Sequence, residues 1–337
     1  MAVTNLTRIV GLFPGQGSQW VRMGRQLLTE SAGFTAAIDE VDAIVGSRLG
    51  WTVREELNAD EAHSTIGGIL HLQVSLFAIE IALAAVWHER GVRFDSVAGT
   101  SLGELAAVQV AGILSTADAL EVVLGRSELL EQHKIQGGTI VVNVDASEAD
   151  QLLENLPAPA FVAGFNGPGT TTFSGHEAAL TELLRRGEER GVFAARVRVE
   201  YPAHSPLLAP VGEALKARLA HLRPQSGTIP FYSAVTATPL DGTTLDADYW
   251  SRNLIDAVRG QQMLDRLLED GHDVILEVTP HPIFAKPTED AIATRDAALD
   301  EAVNAIHCPT LRRNKDAQEC LAAASERLRS VGVQLAQ

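Results

Sequence analysis

The chain has 337 residues, 46% hydrophobic and 21% charged, a composition that excludes a disordered or fibrous protein. Its net charge of −16 opposes nucleic acid and anionic membranes as general partners. The two cysteines, Cys308 and Cys320, lie outside any metal-ligand spacing, which predicts reduced thiols, no metal and a cytoplasmic setting.

The length accommodates one large α/β domain with a smaller insertion as well as two tandem domains. Residues 8–13, RIVGLF, form an apolar strand candidate that runs into Pro14-Gly15-Gln16-Gly17-Ser18-Gln19-Trp20, a glycine-rich turn opening a helix. That turn offers backbone N–H groups. It lacks both the Lys-Ser/Thr of a phosphate loop and the spacing of a dinucleotide fingerprint, so nucleotide binding is set aside. Residues 1–11 carry no secretory pattern. Residues 34–45 and 70–90 are helical by period, the second stopping at Gly91. The apolar run 74–87 is broken by Ser75 and Glu80 and is too short to cross a bilayer, which predicts a buried amphipathic helix.

Val97 and Ala98 then end a short strand, Gly99-Thr100-Ser101-Leu102-Gly103 makes a tight turn, and residues 104–110 read as an Ala-rich helix. Ser101 sits at the apex of this G-x-S-x-G, between two glycines that carry no Cβ and so permit a strained turn. On that geometry the Leu102 N–H points at any oxyanion formed on a carbonyl that Ser101 attacks. The same five-residue pattern also arises by chance in glycine-bearing loops. Ser115 caps a helix from residue 116 to about 133, and that helix sets Arg126 in the apolar stretch EVVLGRSELL. A guanidinium there needs a counter-ion unless it snorkels to the surface.

Residues 139–199 alternate as βαββαβ, the ferredoxin-like order, with Asn166-Gly167-Pro168-Gly169 as the central hairpin turn. The chain leaves through Glu200-Tyr201-Pro202-Ala203-His204-Ser205-Pro206, so His204 falls on a seam between two bodies, where clefts form. A loop histidine there fits a base or a satisfied polar residue. A helix over 207–221, a strand over 228–235, the segment YWSRNLIDAV at 249–258, a helix over 262–270 and a strand over 274–278 follow. The end holds an arginine loop with Arg312 and Arg313, a helix over 316–329 and a short tail. Arg312 and Arg313, like Arg185, Arg186 and Arg190, fit either a docking patch or a solvated basic face.

FPGQGSQW, GTSLGELAA, FNGPGTTTFSG, YPAHSP, FYSAVTA, YWSRNL and EVTPHPI occur in an order and spacing that resemble the acyltransferase domains of modular polyketide synthases. These in turn resemble malonyl-CoA:carrier-protein transacylases, and the resemblance covers nearly the whole chain. It implies an α/β fold: an α/β-hydrolase-like subdomain with a parallel sheet and nucleophile elbow over 1–138 and 206–309, a small ferredoxin-like subdomain over 139–205, and a linker-like segment over 310–337. It implies that Ser101 accepts the acyl group, His204 is its general base, and Gln16 and Leu102 supply oxyanion-hole N–H groups. Arg126 would grip a malonyl-type carboxylate, and Asn253 would orient His204 through its main-chain carbonyl, so that no acidic residue need complete a triad.

Two positions depart from the family pattern. Thr100 stands where a histidine is usual, and Tyr201-Pro202-Ala203-His204 stands where YASH or HAFH is common. Thr100, Tyr201 and Pro202 are therefore expected in the acyl pocket, with Tyr201 favouring a branched malonyl unit. The resemblance further implies a CoA thioester as substrate, no bound cofactor, and an acyl carrier protein whose phosphopantetheine thiol takes the group, with Arg312 and Arg313 as docking candidates. The alternatives are a trans-acting shuttle of unusual acyl or aminoacyl groups between carriers, a serine hydrolase editing acyl chains, and a non-catalytic docking module. A start close to the first core strand fits a discrete enzyme, whereas the linker-like C-terminus fits an excised domain.

Overall fold

The computed structural model describes residues 7–299 and 305–336. The first six residues, part of the stretch read as lacking a secretory pattern, lie outside them, as do 300–304 and 337 of the segments assigned above. Among the described residues the strands are β1 (Ile9–Phe13), β2 (Ser96–Gly99), β3 (Gly138–Val142), β4 (Ala160–Gly167), β5 (Thr170–Gly175), β6 (Ala194–Arg196), β7 (Phe231–Ser233), β8 (Thr238–Leu240), β9 (Val274–Glu277) and β10 (Ile306–Pro309).

The larger sheet has the order β10-β9-β1-β2-β7-β8. Its pairs are parallel from β10 to β7, and β8 closes the edge as an antiparallel hairpin. The central strands read as unbroken apolar runs because both faces are covered. In β1 every residue is buried. Ile9 and Phe13 join the core that includes Phe77 and Leu105, and Val10 and Leu12 join the opposite core with Met263, Leu264 and Leu267. Period two thus divides one strand between two hydrophobic layers.

The smaller sheet has the order β4-β5-β3-β6, every neighbour antiparallel. Helices Ala146–Leu153 and Glu177–Glu189 occupy the two crossovers, which gives the ferredoxin-like arrangement expected from βαββαβ. Its own core gathers Ile140, Val142, Leu152, Phe173, Leu180 and Leu183. The sheet is tied to the large body where Phe165 N–H donates to the Val258 carbonyl at 2.8 Å and Val258 N–H donates to that of Ala163 at 2.9 Å.

The helix holding the apolar run, Ile69–Glu89, is not amphipathic as expected. It is buried on every side from Leu72 to Ala84, so that Gln73, Ser75 and Glu80 are inside the protein. By length and composition it could cross a membrane, yet 78% of its apolar window is buried in the fold. Polar side chains at such positions are costly unless something meets them. What meets Gln73 and Glu80 is the turn at Gln16, described below.

Three further differences have local causes. The segment expected to be linker-like packs on the large body over its described residues, 310–336: Leu321 and Leu328 of helix Ala317–Ser330 lie in the main core, and Trp87 Nε1 donates to Thr310 Oγ1 at 2.9 Å. Strand β10 and helix Ala285–Leu299 went unread, the strand because IHCP carries a proline and a histidine and the helix because AKPTEDAIATRDAAL is weakly patterned. The helix expected over 207–221 begins as a 3-10 turn at Pro206–Leu208 and becomes α-helical only from Ala209.

Candidate active site

Strand β2 ends at Gly99 and the helix Gly103–Val110 starts four residues on, leaving Ser101 at the apex with φ 53°. Left-handed backbone at a serine costs about 1–3 kcal/mol and persists only where the surroundings enforce it. The enforcement is visible. Thr100 N–H donates to the Phe13 carbonyl at 3.0 Å and Gly103 N–H to that of Thr100 at 2.9 Å. A Cβ on Gly103 would lie 1.9 Å from the Phe13 carbonyl oxygen, and one on Gly99 would lie 2.6 Å from the Glu104 Cα. Both glycines are required by close backbone approach.

His204 arrives from the small sheet on a second strained backbone, φ 52°. Ser205 Oγ donates to the Pro202 carbonyl at 2.7 Å and locks that corner. The ring places Nε2 2.8 Å from Ser101 Oγ and Nδ1 3.1 Å from the main-chain oxygen of Asp256. A carbonyl only accepts, so Nδ1 carries the proton and Nε2 presents a lone pair to the serine hydroxyl. Burial, and then the charge of Arg126, push the His204 pKa down to about 4, with the Asp256 carbonyl pulling the other way.

The expected orienting role of the Asn253 carbonyl is therefore corrected to Asp256. Asn253 lies within helix Ala247–Ile255, where its carbonyl follows the helix axis, whereas Asp256 is the extended residue just past the end (φ −71°, ψ 150°). Asn253 enters the site through its side chain instead. Its Nδ2 donates to the Ser101 carbonyl at 3.1 Å and to Glu104 Oε2 at 2.7 Å, and its Oδ1 accepts from Arg126 at 3.1 Å.

Arg126 does not snorkel: it is 2% exposed. A second guanidinium nitrogen lies 3.4 Å from Ser101 Oγ, and among the described residues Nε has no partner. Glu104, one turn after the serine, is fully buried and accepts from the Ala234 N–H and the Tyr249 hydroxyl, each at 2.7 Å. Burial raises its pKa to about 7 against the pull of those donors.

The Gln16 turn faces the same place. Gly15 N–H donates to Glu80 Oε1 at 3.0 Å and Gly17 N–H to Gln19 Oε1 at 2.7 Å, which pins the peptides around Gln16. The Gln16 and Leu102 N–H groups have no acceptor among the described residues. Gln16 Oε1 accepts from the Tyr201 hydroxyl at 2.9 Å and from Gln73 Nε2 at 3.3 Å, and Ser127 Oγ donates to Gln73 Oε1 at 3.0 Å. Gln73, Glu80, Glu104, Ser127, Tyr249 and the Asp256 carbonyl were missed from sequence. The available signal was polarity inside apolar runs, at 73, 80 and 104.

Thr100 is buried with its hydroxyl committed to the Pro14 carbonyl at 2.7 Å, joining the elbow to the Gln16 turn. Pro202 is buried in the corner ahead of His204. Arg312 and Arg313 are exposed and outside the cleft, but Arg313 donates to the Gln19 carbonyl at 3.0 Å, three residues from Gln16. No cluster of potential metal ligands occurs among the described residues.

Across the known protein families, the acyl transferase domain matches residues 10–334. The chain belongs to the acyl transferase domain family. This acyltransferase is 36% identical over 308 residues to the spectinabilin polyketide synthase system protein NorA of Streptomyces orinoci, covering 91% of this chain and 16% of that protein. It is 35% identical over 295 residues to erythronolide synthase EryA2 of Saccharopolyspora erythraea, covering 88% of this chain and 8% of that one. The acyltransferase thus spans a small part of the length of these relatives. Among solved structures, the acyltransferase domain from module 8 of the salinomycin polyketide synthase superposes with TM-score 0.90 at 31% identity, covering 97% of this chain and 76% of that one. The loading acyltransferase of the avermectin modular polyketide synthase gives TM-score 0.87 at 33% identity over 95% of this chain and 99% of that one.

Proposed function

We propose that this acyltransferase takes a malonyl or substituted malonyl group from a CoA thioester onto Ser101 and delivers it to the phosphopantetheine thiol of an acyl carrier protein in polyketide assembly. The observation that carries the reading is Arg126, a buried guanidinium 3.4 Å from Ser101 Oγ with an unpartnered Nε. A buried cation of this kind selects a group that brings its own carboxylate. An aminoacyl shuttle would leave it unmatched.

In the first half-reaction His204 Nε2 takes the Ser101 proton as Oγ bonds to the thioester carbon. The carbonyl electrons move to oxygen, where the Gln16 and Leu102 N–H groups meet them. The tetrahedral intermediate collapses, the C–S bond breaks, and the imidazolium returns its proton to the CoA sulfur. In the second, the same nitrogen deprotonates the incoming carrier thiol, sulfur bonds to the ester carbon, and Ser101 recovers the proton as it leaves. Thr100, Tyr201 and Pro202 border the acyl group on this reading, with Tyr201 anchored to Gln16.

The carrier approaches a basic face beside the Gln16 turn. Arg312, Arg313 and Lys315 are exposed there, and the Gln26 side chain binds Asp316 and the Ala317 N–H at 2.8 Å each, bringing the segment that carries Arg22 and Arg25 alongside. The free Cys308 and Cys320 fit a reducing cytoplasm.

The test is intact-mass measurement after incubation with malonyl-, methylmalonyl-, acetyl- and propionyl-CoA. The wild type gains the mass of a carboxylated acyl group, and Ser101→Ala gains none. Acylation of the alanine variant, or preference for an uncharged group, rejects the assignment.

A further inference from the structure

We propose that Glu104 is a positioning residue for the charge of the acyl group: its carboxylate sets the orientation of the Asn253 amide, and that amide holds the Arg126 guanidinium. This rests on the reading that Arg126 meets the acyl carboxylate. Three distances carry it. Asn253 Nδ2 lies 2.7 Å from Glu104 Oε2 and 3.1 Å from the Ser101 carbonyl, while Oδ1 accepts from Arg126 at 3.1 Å.

An ionised carboxylate only accepts, so it forces the amide to offer its NH2 and leaves the amide oxygen for the guanidinium. A neutral carboxyl can donate. The amide is then free to turn over, and its NH2 would face the guanidinium donor to donor, with the bond to the Ser101 carbonyl lost. The negative charge that balances buried Arg126 would vanish in the same step. Position 104 is therefore a place in this cluster where a proton changes how the cation is held.

The neighbours of Glu104 do not supply a competing switch near neutrality. From helix Ala247–Ile255 it meets Asn253 and the Tyr249 hydroxyl, whose pKa burial raises well above its usual value. The Ala234 N–H caps it from the end of β7, and Ser233 Oγ lies 2.8 Å from the same Tyr249 hydroxyl, whose oxygen can accept from it. Arg126 faces it from helix Thr116–His133 and is itself hydrogen-bonded by the Tyr201 side chain, and the Arg252 charge acts on Tyr249. His204, across Ser101, titrates at about 4. Glu104 itself sits at about 7.

The experiment measures acylation of the whole protein by malonyl-CoA and acetyl-CoA and follows the ratio of their kcat/KM values. A fault in the elbow or the base slows both esters and leaves the ratio alone. We expect Glu104→Gln to lower the ratio at least tenfold and Glu104→Asp to recover part of it. In the wild type the ratio should climb between pH 5.5 and 8.5, and in Glu104→Gln it should be flat. If the glutamine variant does not fold, the wild-type profile decides. A wild type that loads neither ester overturns the reading of the reaction and this inference with it. One that loads both, with a ratio indifferent to pH, overturns the inference alone.

Discussion

His204 is held between two oxygens, Ser101 Oγ at 2.8 Å from Nε2 and the Asp256 main-chain oxygen at 3.1 Å from Nδ1. The second is neutral, so the base is oriented without a carboxylate beside it. An adjacent anion would raise the imidazole pKa. Here burial and the Arg126 charge lower it to about 4.

The first prediction follows from that value. Loading from an uncharged thioester such as acetyl-CoA should keep its kcat/KM down to roughly pH 5 and lose it with an apparent pKa near 4, not at the 6.5 of a free imidazole. The stability sign agrees. A histidine whose folded pKa lies below its unfolded value stabilises fully above 6.5, and that contribution is lost as pH falls through about 4. His204→Ala should slow loading by roughly two to four decades and abolish the acid limb. A limb at 6.5 in the wild type would mean that the ring is far better solvated than its surroundings imply.

What could be read from the chain, and what could not, divides along sequence distance. The elbow at Ser101, the Ser115 cap and the βαββαβ order rest on neighbours within a few residues, and local patterns report them. His204 is 103 residues from Ser101 and sits in a loop, so its place on the seam left a base and a satisfied polar residue both open, and the likeness of YPAHSP to a known family decided for the base. Asn253 was given the wrong atom, because which carbonyl turns toward His204 depends on where a helix stops, and helix ends are the least legible feature of a sequence. Glu104 and Gln73 escaped altogether. Their partners lie 149 residues away at Asn253 and 54 away at Ser127, and nothing within a turn of either residue shows that its polarity is answered.

A second prediction concerns the carrier protein. The chain carries −16 overall, so an acidic carrier must be drawn in by a local basic face. Arg313 is a poor probe of that face, because it also holds the Gln19 carbonyl and accepts a structural role beside Gln16. Arg25 and Arg312 are exposed and have no acidic partner among the described residues. Arg25→Glu with Arg312→Glu should raise the carrier KM about tenfold or more, with self-acylation from the CoA ester unaltered. Equal loss in both half-reactions would assign the two arginines to the fold instead.

The last prediction isolates the guanidinium. Arg126→Ala removes the cation that a carboxylated acyl group would meet, and with it the partner of Asn253 Oδ1. A charge-assisted pair formed in a buried site is worth about 2 kcal/mol or more, which is roughly a thirtyfold change in kcat/KM. That loss should fall on malonyl and methylmalonyl esters. Acetyl and propionyl esters, which have no carboxylate, gain from the removal of an unpaired buried cation or change little. Comparing malonyl with acetyl and methylmalonyl with propionyl cancels any disturbance of Ser101 or His204, since both members of a pair use the same nucleophile and base. If the mutation moves both members alike, Arg126 serves the architecture of the elbow through Asn253, and the acyl group must be recognised elsewhere in the cleft.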